Sequence, residues 1–114
     1  MEFKINGKEQ ELKFGIGFIR KLDEVYTADM NGVKFGMGLS MAMIQLQQYN
    51  PSALSEVIRA ASKGNVRLIS IDDAIEEYAE ENDGLNQLFT DVLEAVGKSK
   101  ITKDTLKRME NLAK

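Results

Sequence analysis

The first fourteen residues constrain the fold most, because they combine a turn with a parity. Asn6-Gly7 is a hairpin-turn signal between two short runs in which apolar and polar residues alternate. Phe3 and Ile5 share one face of the first run, and Leu12 and Phe14 share one face of the second. If Asn6-Gly7 alone forms the turn, Ile5 opposes Lys8 and Met1 opposes Leu12. If the loop spans residues 6–9, Ile5 opposes Gln10 and Phe3 opposes Leu12. Both registers put Met1, Phe3, Ile5, Leu12 and Phe14 on one side, whereas a three-residue loop without a bulge would split them. The longer loop is preferred for its apolar pair, Phe3 with Leu12. A lone two-stranded hairpin is marginal in water, so this face must lie on the helices that follow.

Gly15-Ile16-Gly17 then reads as a strand-to-helix corner, and the spacing predicts a helix over residues 16–28. Ile16, Ile19, Leu22 and Tyr26, with Val25, form its apolar stripe. Residues 29–38 read as a loop, with Asn31-Gly32 its strongest turn signal. Residues 39–48 are helical in pattern but apolar nearly all round. In the next helix Asn50 or Ser52 can cap, Pro51 suits the first turn, and Ala53, Leu54, Val57, Ile58 and Ala61 face inward. Lys63-Gly64-Asn65 ends it.

Residues 66–69 suit an extended connector better than a third strand. Ser70 and Asp73 resemble a capping box for a helix over residues 71–81 that buries Ile71, Ile75 and Tyr78. After Asn82-Asp83-Gly84, the residues Leu85, Leu88, Phe89, Val92, Leu93 and Val96 recur at helical spacing, and Gly97 is expected to stop that helix. Thr102 is expected to cap a last helix that carries Leu106, Met109 and Leu112 and frays at its end. The fold class is thus α+β and mainly α, an N-terminal β-hairpin packed on a bundle of five or six short helices. We read residues 1–114 as a single domain: 1–14 the hairpin, 15–97 the helical body, 98–114 a basic C-terminal helix.

Composition closes off several chemistries. The 114 residues include no Cys and no His. Disulfides, thiolate zinc sites and Ser-His or Cys-His nucleophile pairs are therefore excluded. No window reaches the ~18 apolar residues of a membrane span. A formal charge of −3 disfavours nucleic acid as a partner. The charge is also unevenly placed. Residues 68–97 hold nine acids and no base, and residues 98–114 hold six bases against two acids.

Two features carry the functional readings. Asp72, Asp73, Glu76, Glu77, Glu80 and Glu81 fall in two adjoining rows, an acidic ridge on one helix. A solvated face is its simplest reading, ahead of a basic partner or the chain's own basic tail, and well ahead of a metal. Nothing here follows the calcium-loop pattern. Met30, Met37, Met41 and Met43 fall within fourteen residues beside Phe35 and Leu39. Methionine fills cores, and it also lines surfaces that bind varied helices. Leu39, Met43 and Leu46 already make a stripe, so Met37, Met41 and Ile44, with Phe35 nearby, form a second face for a partner or for self-association. Gly15-x-Gly17 and Gly36-x-Gly38 lack the remainder of any phosphate-binding motif. No cofactor, metal or small-molecule substrate is expected, and no catalytic residue is assigned.

Phe-Lys-Ile-Asn-Gly-Lys-Glu at 3–9, Leu-Lys-Phe-Gly-Ile-Gly-Phe at 12–18 and Asn-Gly-Val-Lys-Phe-Gly-Met-Gly-Leu at 31–39 resemble the tail assembly chaperones of long, non-contractile-tailed bacteriophages and related prophages. Gln45-Leu-Gln-Gln-Tyr-Asn-Pro51 and the helix after it carry the likeness to about Ala61, roughly half the chain. The resemblance implies a late, non-enzymatic viral protein of the bacterial host cytoplasm, absent from the mature virion. Such a protein binds the helical tape measure protein and helps recruit tail-tube subunits around it. It also implies that a longer form can arise by frameshifting, of which these residues would be the short form. The alternatives are a small acidic regulatory or inhibitory module that masks a host protein, and a minor structural subunit of the particle.

Overall fold

Asn6 and Gly7 adopt left-handed backbone angles, φ 53° and 77°, and so make a two-residue turn whose twist matches the strands it joins. The computed structural model describes the backbone of residues 1–30, 33–36 and 38–112, and the side chains of residues 1–27 and 38–108. Strand β1 (Glu2–Ile5) pairs antiparallel with β2 (Lys8–Glu11), with Phe3 opposite Gln10 and Ile5 opposite Lys8. The Leu12 amide donates to the Met1 carbonyl at 2.8 Å. This is the short-loop register, so the expected Phe3–Leu12 pair does not form. The left-handed turn at Asn-Gly outweighs one apolar cross-strand contact. The shared face holds regardless, and Phe3, Ile5, Leu12 and Phe14 are all buried.

Among the described residues six helices follow: α1 (Ile16–Val25), α2 (Gly38–Gln47), α3 (Pro51–Ala61), α4 (Leu68–Asn82), α5 (Asn86–Lys98) and α6 (Lys100–Leu112). Between α1 and α2 lies a second hairpin, β3 (Thr27–Met30) with β4 (Val33–Gly36), where the sequence reading expected a helix end and a loop. Asn31-Gly32 separates its strands. The strands β3 and β4 thus form a short two-stranded ribbon, and α1 ends at Val25 rather than at residue 28.

The third helix is the most enclosed. Asn50 Oδ1 accepts from the amides of Ser52 (2.9 Å) and Ala53 (3.4 Å), and Pro51 occupies the first turn where no amide hydrogen is needed. Leu54, Val57 and Ile58 are wholly removed from solvent, with Ala53, Ala60 and Ala61 nearly so. This helix packs on α1, α2 and α4. The inner face of the first hairpin lies on α4, with the Phe3 and Tyr78 rings 6.2 Å apart. Phe14 and Phe18 stack edge-on at 5.0 Å where the chain turns into α1.

Several expected boundaries move. The α4 helix begins at Leu68, so only residues 66 and 67 are an extended connector, and Ser70 lies inside the first turn with its amide on the Arg67 carbonyl at 3.0 Å. The expected capping box is not made. Gly97 does not stop α5, which runs to Lys98, because the glycine keeps helical rather than left-handed angles. Thr102 is within α6 instead of capping it. It is fully buried, and its hydroxyl donates to the Val96 carbonyl, tying α6 to α5. The expected fraying of α6 concerns residues 109–114, whose side chains lie outside the described residues. In α1 the buried residues are Phe18 and Leu22, whereas Ile16, assigned to the stripe, is 61% exposed. Phe18 turns inward because Phe14 meets it there.

The α1–α2 seam fixes the position of everything after it. Gly38 opens α2 directly against the α1 backbone: a Cβ at this position would lie 2.4 Å from the Leu22 carbonyl carbon and 2.5 Å from the Asp23 nitrogen. Asp23 Oδ1 accepts from the Gly38 amide at 2.9 Å, so a carboxylate on one helix caps the positive end of the other. Farther along, Tyr26 Oη donates to Gln45 Oε1 at 3.1 Å. Burial first, and the Glu56 carboxylate second, raise the Tyr26 phenol above its ordinary value; burial and Asp91 do the same to Tyr78.

Gly38→Ala is expected to destabilise the protein by about 3 kcal/mol or more, since backbone rather than a flexible side chain must move. Gly97→Ala, where an added Cβ meets nothing within 4 Å, should raise stability by about 0.5–1 kcal/mol. Urea denaturation measures both. For the tyrosines, a raised folded value means that the protonated phenol favours the fold. That stabilisation is complete below the ordinary tyrosine range and is lost as pH rises through the raised value. In an ultraviolet titration, Tyr26 and Tyr78 should ionise above the ordinary tyrosine range, and Tyr26→Phe should remove one of these late transitions.

Candidate functional site

The helix α2 is apolar on nearly every side, and its seam with α1 decides which side is spent. Gly38, Leu39, Ala42 and Leu46 are buried, and Met43 packs partly against the same core. At 100° per residue these positions cluster on one side, and residues 41, 44 and 48 fall away from it. Met41 is half-buried and Ile44 is 49% exposed. Of the four residues assigned to a partner-binding face, Met41 and Ile44 are thus placed on the outward flank of one helix. Phe35 and Met37 lie outside the described side chains, as does Met30. The division of the helix into an inner stripe through Leu39 and Leu46 and a surplus flank through Met41 and Ile44 follows from the close approach at Gly38.

Just beyond this flank the chain reverses at Tyr49, which takes φ 57°, an angle more often given to glycine. Its ring is 57% exposed and rests edge-on against Phe89, centroids 5.2 Å apart. The sequence reading gave Tyr49 no place on a binding surface. Its ring adds an aromatic surface at the C-terminal end of α2.

The acidic ridge is where the spacing placed it. Asp72, Asp73, Glu76, Glu77, Glu80 and Glu81 are all exposed along α4, opposite the buried Ile71, Ala74 and Ile75. Asp72 is engaged, since the Ser55 hydroxyl on α3 donates to its Oδ1. Among the described residues, no three acidic side chains gather in a way that could hold a metal ion. The ridge is a row and not a cup.

Other apolar side chains reach solvent away from α2. Among the described residues Ile16, at the start of α1, is the most exposed of them, and Leu68 and Ile69 open α4. The periodicity that placed Ile16 in a buried stripe masked it as a surface residue. No helix among the described residues is long and apolar enough to cross a membrane.

Comparison with known proteins places this arrangement. A family model described as phage tail assembly chaperone protein, TAC, matches residues 2–110. No curated protein and no solved structure matches the chain. The family match runs from the first hairpin through most of α6, well past the half that carries the motif resemblance. An N-terminal hairpin, a helical body and an amphipathic C-terminal segment are therefore all within it, and this chain belongs to the phage tail assembly chaperone family.

Proposed function

We infer that this tail assembly chaperone acts without catalysis, by holding an apolar helical client, the tape measure protein, against the outer flank of α2, and that it helps bring tail-tube subunits to that client in the host cytoplasm. The observation that supports this reading is Ile44, half exposed on a helix whose opposite side is sealed, with Met41 one turn away. A client helix laid along this flank would remove both side chains from water. A fully buried side chain of this size contributes about 1.5–3 kcal/mol, so an extended contact of several such residues is needed. Thioether flexibility at Met41 suits a client whose sequence varies along its length.

A binding mode based on the acidic ridge makes a different demand. It would weaken steeply as ionic strength rises, whereas apolar docking on α2 would change little.

Ile44→Asp should leave folding within about 0.5 kcal/mol of the parent, because the position is exposed. It should also send a co-expressed tape measure protein from the soluble to the insoluble fraction. Met41→Asp should have the same effect on the client at a larger cost in stability. If both variants fold and still keep the client soluble, the α2 flank is not the docking surface. If Met41→Asp unfolds the protein, that position belongs to the core.

A further inference from the structure

A second surface, on α1 and α3, differs from the α2 flank in both shape and charge. The corner at Gly15 and the end of α3 enclose an open groove of about 610 Å³. This lies within the range of ligand-binding clefts, about 300–1,000 Å³. Its floor is apolar: Phe18, Ala60 and Ala61 line it and are buried. Ile16 stands at its edge, 61% exposed, the most exposed large apolar side chain among the described residues. Gly15 and Gly17 flank it, and a Cβ at either would meet nothing within 4 Å, so the missing side chains leave room beside Ile16.

The rim is basic on a protein whose formal charge is −3. Lys13, Lys21 and Lys63 line the groove with a single acid, Glu11. Glu11 Oε1 lies 3.2 Å from the Met1 amino nitrogen. Lys21 is structural: its Nζ donates to the carbonyls of Ser62 (3.0 Å) and Gly64 (2.8 Å), so it clasps the end of α3 to α1 and sets the width of the groove. Lys13 and Lys63 are exposed, and among the described residues neither has a carboxylate within ion-pair distance.

We propose that this groove docks an acidic amphipathic segment of a partner protein, with its apolar side chains on Ile16, Phe18 and Ala61 and its carboxylates beside Lys13 and Lys63. An apolar floor under a locally positive rim selects that chemistry over a basic or uncharged helix. A small anion is a poorer fit, since Ser62, the buried polar side chain in the lining, already donates its hydroxyl to the Ile58 carbonyl. The proposal stands independently of the α2 reading, because the two surfaces share no residue.

The test uses the full chain, isotopically labelled, and two synthetic helix-forming peptides with the same leucine spacing, one carrying Glu and the other Lys at all remaining positions. The Glu peptide is expected to shift the amide signals of Gly15, Ile16, Gly17, Ser62 and Lys63. It should bind at least about tenfold tighter than the Lys peptide, an advantage that shrinks with added salt. The double variant K13E/K63E and, separately, Ile16→Ser should each weaken the Glu peptide by about tenfold. Circular dichroism confirms that both variants fold, as their exposed positions allow. The variant I44D should bind the Glu peptide unchanged, which separates this surface from the client flank. Four outcomes would overturn the proposal: no binding of the Glu peptide below about 1 mM, equal affinity for the two peptides, shifts confined to α2, or sedimentation showing Ile16 already covered by a second copy of the chain.

Discussion

The contact on which the rest of the structure depends is the approach of Gly38 to the peptide between Leu22 and Asp23. Any side chain at residue 38 would occupy backbone space, so α2 can reach α1 this closely only with glycine there. The same contact supplies the cap, because the Asp23 carboxylate takes the Gly38 amide that would otherwise be unsatisfied at a buried helix start. Once the seam is set, Leu39, Ala42 and Leu46 must face inward and Met41 and Ile44 must face out. An almost uniformly apolar helix thereby acquires two distinct sides, one sealed in the core and one turned to solvent. A single glycine thus decides which flank of α2 stays outside the core.

Hydroxyl groups join the helices elsewhere. The Thr102 hydroxyl donates to the Val96 carbonyl, that of Ser99 to Phe14, and that of Ser55 to the Asp72 carboxylate, while the Ser62 hydroxyl closes the end of its own helix on the Ile58 carbonyl at 2.7 Å. Each such bond adds about 0.5–1.5 kcal/mol. Their larger effect is on specificity, since leaving a buried carbonyl at a helix end unpaired would cost more than the bond gains. The Ser99 and Thr102 bonds both lie where α5 passes into α6. They hold the C-terminal helix on the body although its outer surface is largely charged. A chain with no cysteine thus uses short polar links where a secreted domain of this size would use disulfides.

Much of this fold was legible in the residues. Parity placed the inner face of the first hairpin, and the inward residues of α3 and α5 follow from apolar spacing alone. Asn50 and Pro51 marked a helix start by a local mechanism that the structure uses unchanged. What escaped was tertiary in origin. The turn register depended on left-handed angles at Asn6-Gly7, which outweighed a tempting Phe3–Leu12 pair. Thr102 had the composition of a cap, but its hydroxyl reached a carbonyl on the preceding helix. Ile16 matched a helical stripe that Phe18 took over, because Phe14 packs on Phe18 from outside the helix. As for the surfaces, Met41 and Ile44 could be found as apolar residues in excess of one stripe. Lys13, Lys21 and Lys63 could not, since only folding brings residues so far apart in sequence around one groove.

The first hairpin has a consequence of its own. A ribbon of only two strands keeps an unpaired margin on either side, which invites a foreign strand to extend it. In β2 the sequence Lys-Glu-Gln-Glu exposes three of its four side chains and leaves none buried, so an incoming strand would have to settle against charge. The ribbon is thereby protected from capturing stray backbone, and also from assembling with its own kind edge to edge. An edge lined in this way gives an arriving strand no apolar side chain to rest on, whichever direction it comes from.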